Sequence, residues 1–112
     1  MDHYLIFEHP KEQIEVWLGN TLLAKSSSTL LLKEIGGLGY PPVYYFDPKD
    51  VRTAELKQNE KKLFCYLKGE STFWSIDEFD LAIWSYLQTY DEAKPLEGKI
   101  AFSPKVFEVV SE

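Results

Sequence analysis

Leu63-Phe64-Cys65-Tyr66-Leu67-Lys68-Gly69-Glu70-Ser71-Thr72-Phe73-Trp74-Ser75-Ile76-Asp77-Glu78 reads as strand, turn, strand, turn. Leu63 to Leu67 and Ser71 to Ile76 are the two strands, with Lys68-Gly69-Glu70 between them as a turn or bulge. Asp77-Glu78 then turns the chain into a third strand, Phe79 to Tyr86. The same punctuation recurs towards both ends. Ile14-Glu15-Val16-Trp17-Leu18 alternates, Gly19-Asn20 is a two-residue turn, and Thr21-Leu22-Leu23-Ala24 returns as the second arm of a hairpin. Thr29 to Lys33 is another apolar run, closed by Gly36-Gly37-Leu38-Gly39. Pro41 and Pro42 lead into Val43-Tyr44-Tyr45-Phe46, and their missing N–H groups make the start of that run an edge or an unpaired segment. Asp47-Pro48-Lys49-Asp50 places a capping residue before a proline, which predicts a short helix reaching Leu56 or Gln58. Lys99 to Phe102 is the last clear strand, and Ser103-Pro104 begins a helical turn or a final extended segment. The expected fold class is therefore mainly β: a small single-domain barrel-like or sandwich-like sheet with one or two short helices, spanning 1–112 without a linker.

Composition narrows the partners. A chain of 112 residues is one domain, and on folding it buries roughly two thirds of the surface its unfolded form exposes. Its formal net charge of −6 argues against nucleic acid, whose binding relies on Lys and Arg releasing counterions from phosphates. A single Cys excludes an intrachain disulfide, and Cys65, His3 and His9 are too few soft ligands for a zinc site. No metal and no cofactor is expected. No window approaches the roughly 18 apolar residues of a membrane span, and Met1-Asp2-His3-Tyr4 lacks the layout of a signal peptide, so a cytoplasmic protein is expected. Three Trp, seven Tyr and seven Phe are more ring surface than so small a core encloses, so some rings should line a groove or face solvent.

Three sets of residues carry chemistry in this reading. Cys65 with Lys68 suggests a nucleophile beside a cation, although positions three apart on one strand face opposite ways unless Gly69 or a neighbour makes a bulge. A free Cys between Phe64 and Tyr66 is otherwise a small buried apolar residue. Tyr66, Lys68, Glu70, Thr72, Trp74 and Ile76 share a face if the strand is unbroken, which puts an ammonium among rings. Tyr44, Tyr45, Trp84 and Tyr86 supply a stacking platform, with about half of them expected to be plain packing. Asp50, beside Arg52, is a further candidate for orienting a group in the site. Asp77, Glu78 and Asp80 are the clustered acids, but Asp77 and Asp80 are badly spaced for one strand face and read as a solvated turn.

Pro41-Pro42-Val43-Tyr44-Tyr45-Phe46-Asp47-Pro48-Lys49-Asp50-Val51 resembles a family known as domain of unknown function 427, whose pattern there is Pro-Pro-x-Tyr-Tyr followed by Asp-Val. Cys65, Lys68-Gly69 and Trp74-Ser75 resemble its Cys-Pro-Tyr-Lys-Gly and Tyr-Trp-Ser segments. Trp84-Ser85-Tyr86 and Gly98-Lys99-Ile100-Ala101-Phe102 are similar to two later ones, and Gly19 with Leu23-Ala24-Lys25-Ser26 to an early one. Tyr66-Leu67 replaces the Pro-Tyr pair, Leu87 stands where a Pro usually follows, and Lys25 replaces an acid. The resemblance implies a mainly β domain with a concave face lined by the shared aromatics. Some members of the family carry a nucleotidyltransferase label, but the resemblance brings no established reaction.

These readings converge on a domain binding a small organic ligand in an aromatic-lined pocket, with Tyr44, Tyr45, Lys68, Trp74, Trp84 and Tyr86 as ligand-binding residues. Cys65, Lys68 and Asp50 are the catalytic candidates should the domain be an enzyme. The alternative is a protein-interaction module that uses an exposed aromatic edge including Trp17, which is out of phase with Ile14, Val16 and Leu18. Either way the expected state is a monomer or weak homodimer.

Overall fold

The computed structural model describes residues 3–112; Met1 and Asp2, which entered the signal-peptide argument, lie outside the described residues. The strands are β1 (Tyr4–Glu8), β2 (Ile14–Leu18), β3 (Thr21–Ser26), β4 (Leu30–Ile35), β5 (Val43–Phe46), β6 (Lys57–Cys65), β7 (Gly69–Ile76), β8 (Phe79–Thr89), β9 (Ile100–Phe102) and β10 (Glu108–Ser111). They form a seven-stranded antiparallel sheet in the order β1-β4-β5-β9-β8-β7-β6 and a three-stranded sheet in the order β10-β2-β3. The fold is mainly β and sandwich-like. Neither sheet closes on itself by backbone pairing, so the barrel alternative gives way to two stacked layers.

Strand alternation explains the layers. On β9, Ile100 and Phe102 join Phe46 of β5 and Ile83 of β8 against Ile14, Val16 and Leu23 of the small sheet. Ala101, between Ile100 and Phe102, faces the other way with Tyr45 and Tyr86, and meets Leu30 and Leu32 of β4 and Leu96. One face of the large sheet is thus sealed by the small sheet, and the other is capped only over part of its length by the 3-10 segment Asp91–Leu96. Burying an aromatic or aliphatic side chain fully stabilises by about 1.5–3 kcal/mol, so both faces contribute heavily to folding.

Three local readings are corrected. The stretch after Asp47 forms two 3-10 turns, Pro48–Asp50 and Thr53–Glu55, and not one α-helix. Asp47 does cap the first, its side chain accepting from the Lys49 N–H, but Val51 adopts extended backbone and bridges to Ala24 of β3. The run Val43–Phe46 is interior in the strand order, although its start keeps an edge character: Val43 and Tyr44 pair with β4 alone, Tyr45 pairs with both β4 and β9, and Phe46 pairs with β9. Finally, the β6–β7 turn is Tyr66-Leu67-Lys68, with Gly69 already paired to Cys65. Gly69 sits at φ +119°, and a Cβ there would stand 2.6 Å from the Gln88 carbonyl oxygen, so no other residue fits.

Candidate functional site

The partly capped face of the large sheet opens into a cleft of about 690 Å³. Its floor and walls follow from register. Trp84 on β8 sits opposite Phe73 of β7 on one side and Ala101 of β9 on the other, and Ala101 in turn sits opposite Tyr45 of β5. Tyr86 lies opposite Ser71, which lies opposite Leu63. Side chains directly opposite in neighbouring strands share a face, so this row of pairs lays Phe73, Trp84 and Tyr45 side by side beneath one concavity. The Trp84 indole N–H donates to the Tyr45 hydroxyl oxygen at 3.0 Å, tying two of those rings together.

Lys68 reaches the same cleft by a route that strand parity conceals. The turn Tyr66-Leu67-Lys68 is closed by the Lys68 N–H donating to the Cys65 carbonyl at 3.2 Å, and the ladder slips by one residue between Glu70 and Ser71, leaving Leu87 as the extra residue on β8. The turn takes Lys68 out of phase with Trp74, and it joins Ser71 and Phe73 on the cleft side. Its side chain is only 12% exposed, and the ammonium lies 5.5 Å from the centre of the Tyr86 ring.

The partner of Lys68 comes from the opposite flank of the sheet. Lys68 Nζ donates to Glu34 Oε1 at 2.8 Å, and the Glu34 carboxylate, 7% exposed, holds His3 through its other oxygen at 2.7 Å. An ionised carboxylate only accepts, so Nε2 of His3 carries the proton, and Nδ1 in the neutral ring accepts from the Tyr66 hydroxyl at 2.7 Å. Glu34 is on β4, and strands β5, β9 and β8 lie between it and β7. Two side-chain bridges, Glu34–Lys68 and His3–Tyr66, thus clasp the β1–β4 flank to the β6–β7 turn across one end of the cleft. The sheet that does not close through its backbone is closed there by a clasp of charged and aromatic side chains.

These contacts set the charges. Burial alone would push the Glu34 carboxyl up, but the hydrogen bond and charge of Lys68, aided by His3, hold it below its ordinary value of 4.5. Burial would lower Lys68, and the nearby Tyr86 and Glu34 outweigh it and raise the ammonium above 10.5. Burial, then the proximity of Tyr86, push the Tyr45 phenol well above 10.0, and burial does the same to Tyr86. Across neutral pH the site therefore holds a charged ammonium, a charged carboxylate and two neutral phenols.

Of the six residues expected to bind ligand, Tyr45, Lys68, Trp84 and Tyr86 line the cleft, and so does Cys65. Tyr44 does not: it is the neighbour of Tyr45 on β5 and points to the other face, against the inter-sheet core. Trp74 is likewise on the inter-sheet side, packed on the core, because it neighbours the cleft-facing Phe73. Asp50 lies in the 3-10 turn Pro48–Asp50 and does not line the cleft. Asp77 and Glu78 form the exposed turn between β7 and β8, with Asp77 at a left-handed φ of +50°. Glu34 was not anticipated, and the sequence suggests His3 only as a soft ligand or as a base that tertiary contact could bring to Cys65, not as a partner of Glu34 and Tyr66. Glu34 is on β4, just beyond the apolar run Thr29 to Lys33 that the sequence marks, and only long-range pairing brings it to a lysine 34 positions away. Gly37, at φ +65°, leaves room for His3: a Cβ there would meet the imidazole ring at 3.3 Å.

The family model described as Domain of unknown function (DUF427) matches residues 6–112, nearly the whole length, and the chain belongs to that family. No curated protein matches the chain.

Proposed function

We propose that this domain binds a small, planar organic molecule in the cleft between the β1–β4 flank and the β6–β7 turn. The observation that carries the reading is convergence: Tyr45, Trp84, Tyr86 and Lys68 come from two strands and a turn to one concavity of about 690 Å³. That volume lies in the range of small-molecule sites, and apolar walls with a few placed polar groups are their usual chemistry. The ion pair deepens the argument. A buried charge pair rarely repays its desolvation, so its place at a cleft, and not in the sealed core, suits recognition better than folding.

The chemistry available is binding first. Lys68 stays protonated through neutral pH, so it holds an anion or a π system and is not a free amine nucleophile. Cys65 lines the same cleft, which leaves its thiol within reach of a bound molecule. A free thiol there suits a reducing compartment such as the cytoplasm. Among the described residues no helix is long and apolar enough to cross a membrane.

A melting-temperature screen with planar fragments tests the reading. Any fragment that binds the folded form stabilises it by mass action, about 2.7 kcal/mol at a hundredfold excess over its Kd. Hits should raise the wild-type melting temperature and lose that effect in Trp84→Leu. Hits that stabilise both proteins equally, or a library without hits, would sink the proposal.

A second reading has its own observation. Phe64 and Tyr66 are 68% and 67% exposed, and Leu63 beside them is also exposed, on and just after edge strand β6. An apolar edge of this kind suits contact with another protein or weak self-association. Trp17 contributes less than expected, being half-buried with its indole N–H donated to Glu15 at 3.1 Å. Light scattering over a wide concentration range, comparing wild type with Phe64→Ser, separates a strict monomer from a weak homodimer.

A further inference from the structure

The ligand class can be narrowed, on the premise that the cleft is the binding site. What matters is which hydrogen-bonding capacity remains unused inside it. The Tyr45 side chain is 1% exposed, and its oxygen is already engaged as acceptor by the Trp84 N–H. Among the described residues nothing accepts the Tyr45 O–H, so a buried proton is left to offer. Lys68 has three N–H groups; one goes to Glu34, and the neighbouring Tyr86 phenol can draw on a second, which leaves at least one to offer. Glu34, the carboxylate of the cleft, already holds a donor on each oxygen, Lys68 on one and His3 on the other. The Ser71 hydroxyl is donated to the Leu63 carbonyl at 3.2 Å. The Tyr86 hydroxyl can give or accept and opposes neither outcome.

The unused donors of the cleft, on Tyr45 and Lys68, thus stand among Phe73, Trp84 and Tyr86, while each oxygen of the Glu34 carboxylate is already engaged. From this we infer that the cleft selects an aromatic monocarboxylate: a flat ring for the apolar walls and one anionic acceptor for Lys68 and Tyr45. A cationic ligand would meet the Lys68 ammonium and would have to share a Glu34 carboxylate whose two oxygens each already hold a donor. A phosphate ester is disfavoured as well. It carries up to two negative charges beside the Glu34 carboxylate, which stands 2.8 Å from Lys68. A carboxylate carries one charge. His3, donating to the far oxygen of Glu34, draws that carboxylate's density away from the incoming anion.

The test compares four probes with one ring system: 2-naphthoate, 2-naphthamide, 2-naphthylmethylammonium and 2-naphthyl phosphate, each titrated into the wild-type chain by calorimetry. The expected order is naphthoate tightest, at least about tenfold over the amide, with the ammonium weakest, because charge-assisted hydrogen bonds outweigh neutral ones by this margin. In Glu34→Gln/Lys68→Met, which removes both charges together, naphthoate and naphthamide should bind alike. Equal binding of all four probes to the wild type would overturn the carboxylate inference and leave the cleft reading standing. Tightest binding of the phosphate or the ammonium would also overturn it. Absence of binding by every probe would overturn the inference together with the reading it rests on.

Discussion

The two faces of the seven-stranded sheet are built by the same strands and differ by one residue of phase. Phe46 and Tyr45 are neighbours, as are Ile83 and Trp84, and in each pair the first residue enters the inter-sheet core while the second enters the cleft face. The sealed face is apolar at its centre and meets Ile14, Val16 and Leu23 of the small sheet. The cleft face carries phenols, an indole and a clasped ion pair. A face that only had to bury area has no use for a charge that costs desolvation, so the contrast separates what holds the fold from what the fold holds.

The contrast is broken most forcefully at Phe46. Phe46→Ala should cost about 3–5 kcal/mol of stability, read as a lowered denaturant midpoint, because it empties a fully buried site between the sheets. The cleft face should respond differently. Lys68→Met leaves the Glu34 carboxylate short of a partner and should cost about 1–3 kcal/mol, whereas Glu34→Gln/Lys68→Met should recover most of that loss. A double variant as unstable as the single one would mean that the clasp is structural and the two faces are not so distinct.

Titration sharpens the same point. The Glu34 carboxyl is held below its unfolded value of 4.5, so its contribution is fully present above that value and fades as pH falls through the folded one. Lys68 is raised above 10.5, so its contribution is present below that value and fades as pH rises through the folded one. Wild-type stability should therefore hold a plateau between those limits. Against pH, the acid limb should be shallower in Glu34→Gln, and denaturant midpoints measured from acid to neutral pH check this.

The smallest effect concerns Thr72 and Ser85, cross-strand neighbours whose buried hydroxyl oxygens have no partner among the described residues. Thr72→Val and Ser85→Ala should each be neutral or stabilise by up to about 1 kcal/mol, since an unsatisfied hydroxyl is removed. A loss in either would show that the hydroxyl finds a partner in solution.

How much of this was legible follows from the range of each signal. Turn residues and alternation act locally, so the β2–β3 hairpin, β5, β7 and β9 were readable within a residue or two, and β8 was readable except for its last three residues. β1 was not, because Tyr4-Leu5-Ile6-Phe7 is apolar on both faces and has no period of two. The short helix after Asp47 failed because the Val51 bridge to β3 overrode a local capping signal. Tyr45, Trp84 and Tyr86 could be named as ring residues, but their separation from Tyr44 and Trp74 depended on which face was sealed. Lys68 was placed among rings by a parity argument that the turn breaks, so its arrival in the cleft owes nothing to that argument. Glu34, and the partners of His3, were invisible because the contacts span 34 and 63 residues.

The three tryptophans provide the most direct test, since Trp84 lines the cleft, Trp74 packs on the inter-sheet core and Trp17 lies on the small sheet. In a ¹H–¹⁵N spectrum each contributes one indole N–H signal, to be followed while 2-naphthoate is added. The Trp84 signal should move in a saturable way as its hydrogen bond to Tyr45 responds to the bound anion, with Trp74 and Trp17 staying in place. Saturable movement of Trp17 or Trp74 with Trp84 unmoved, or no saturable movement at all, would contradict the account.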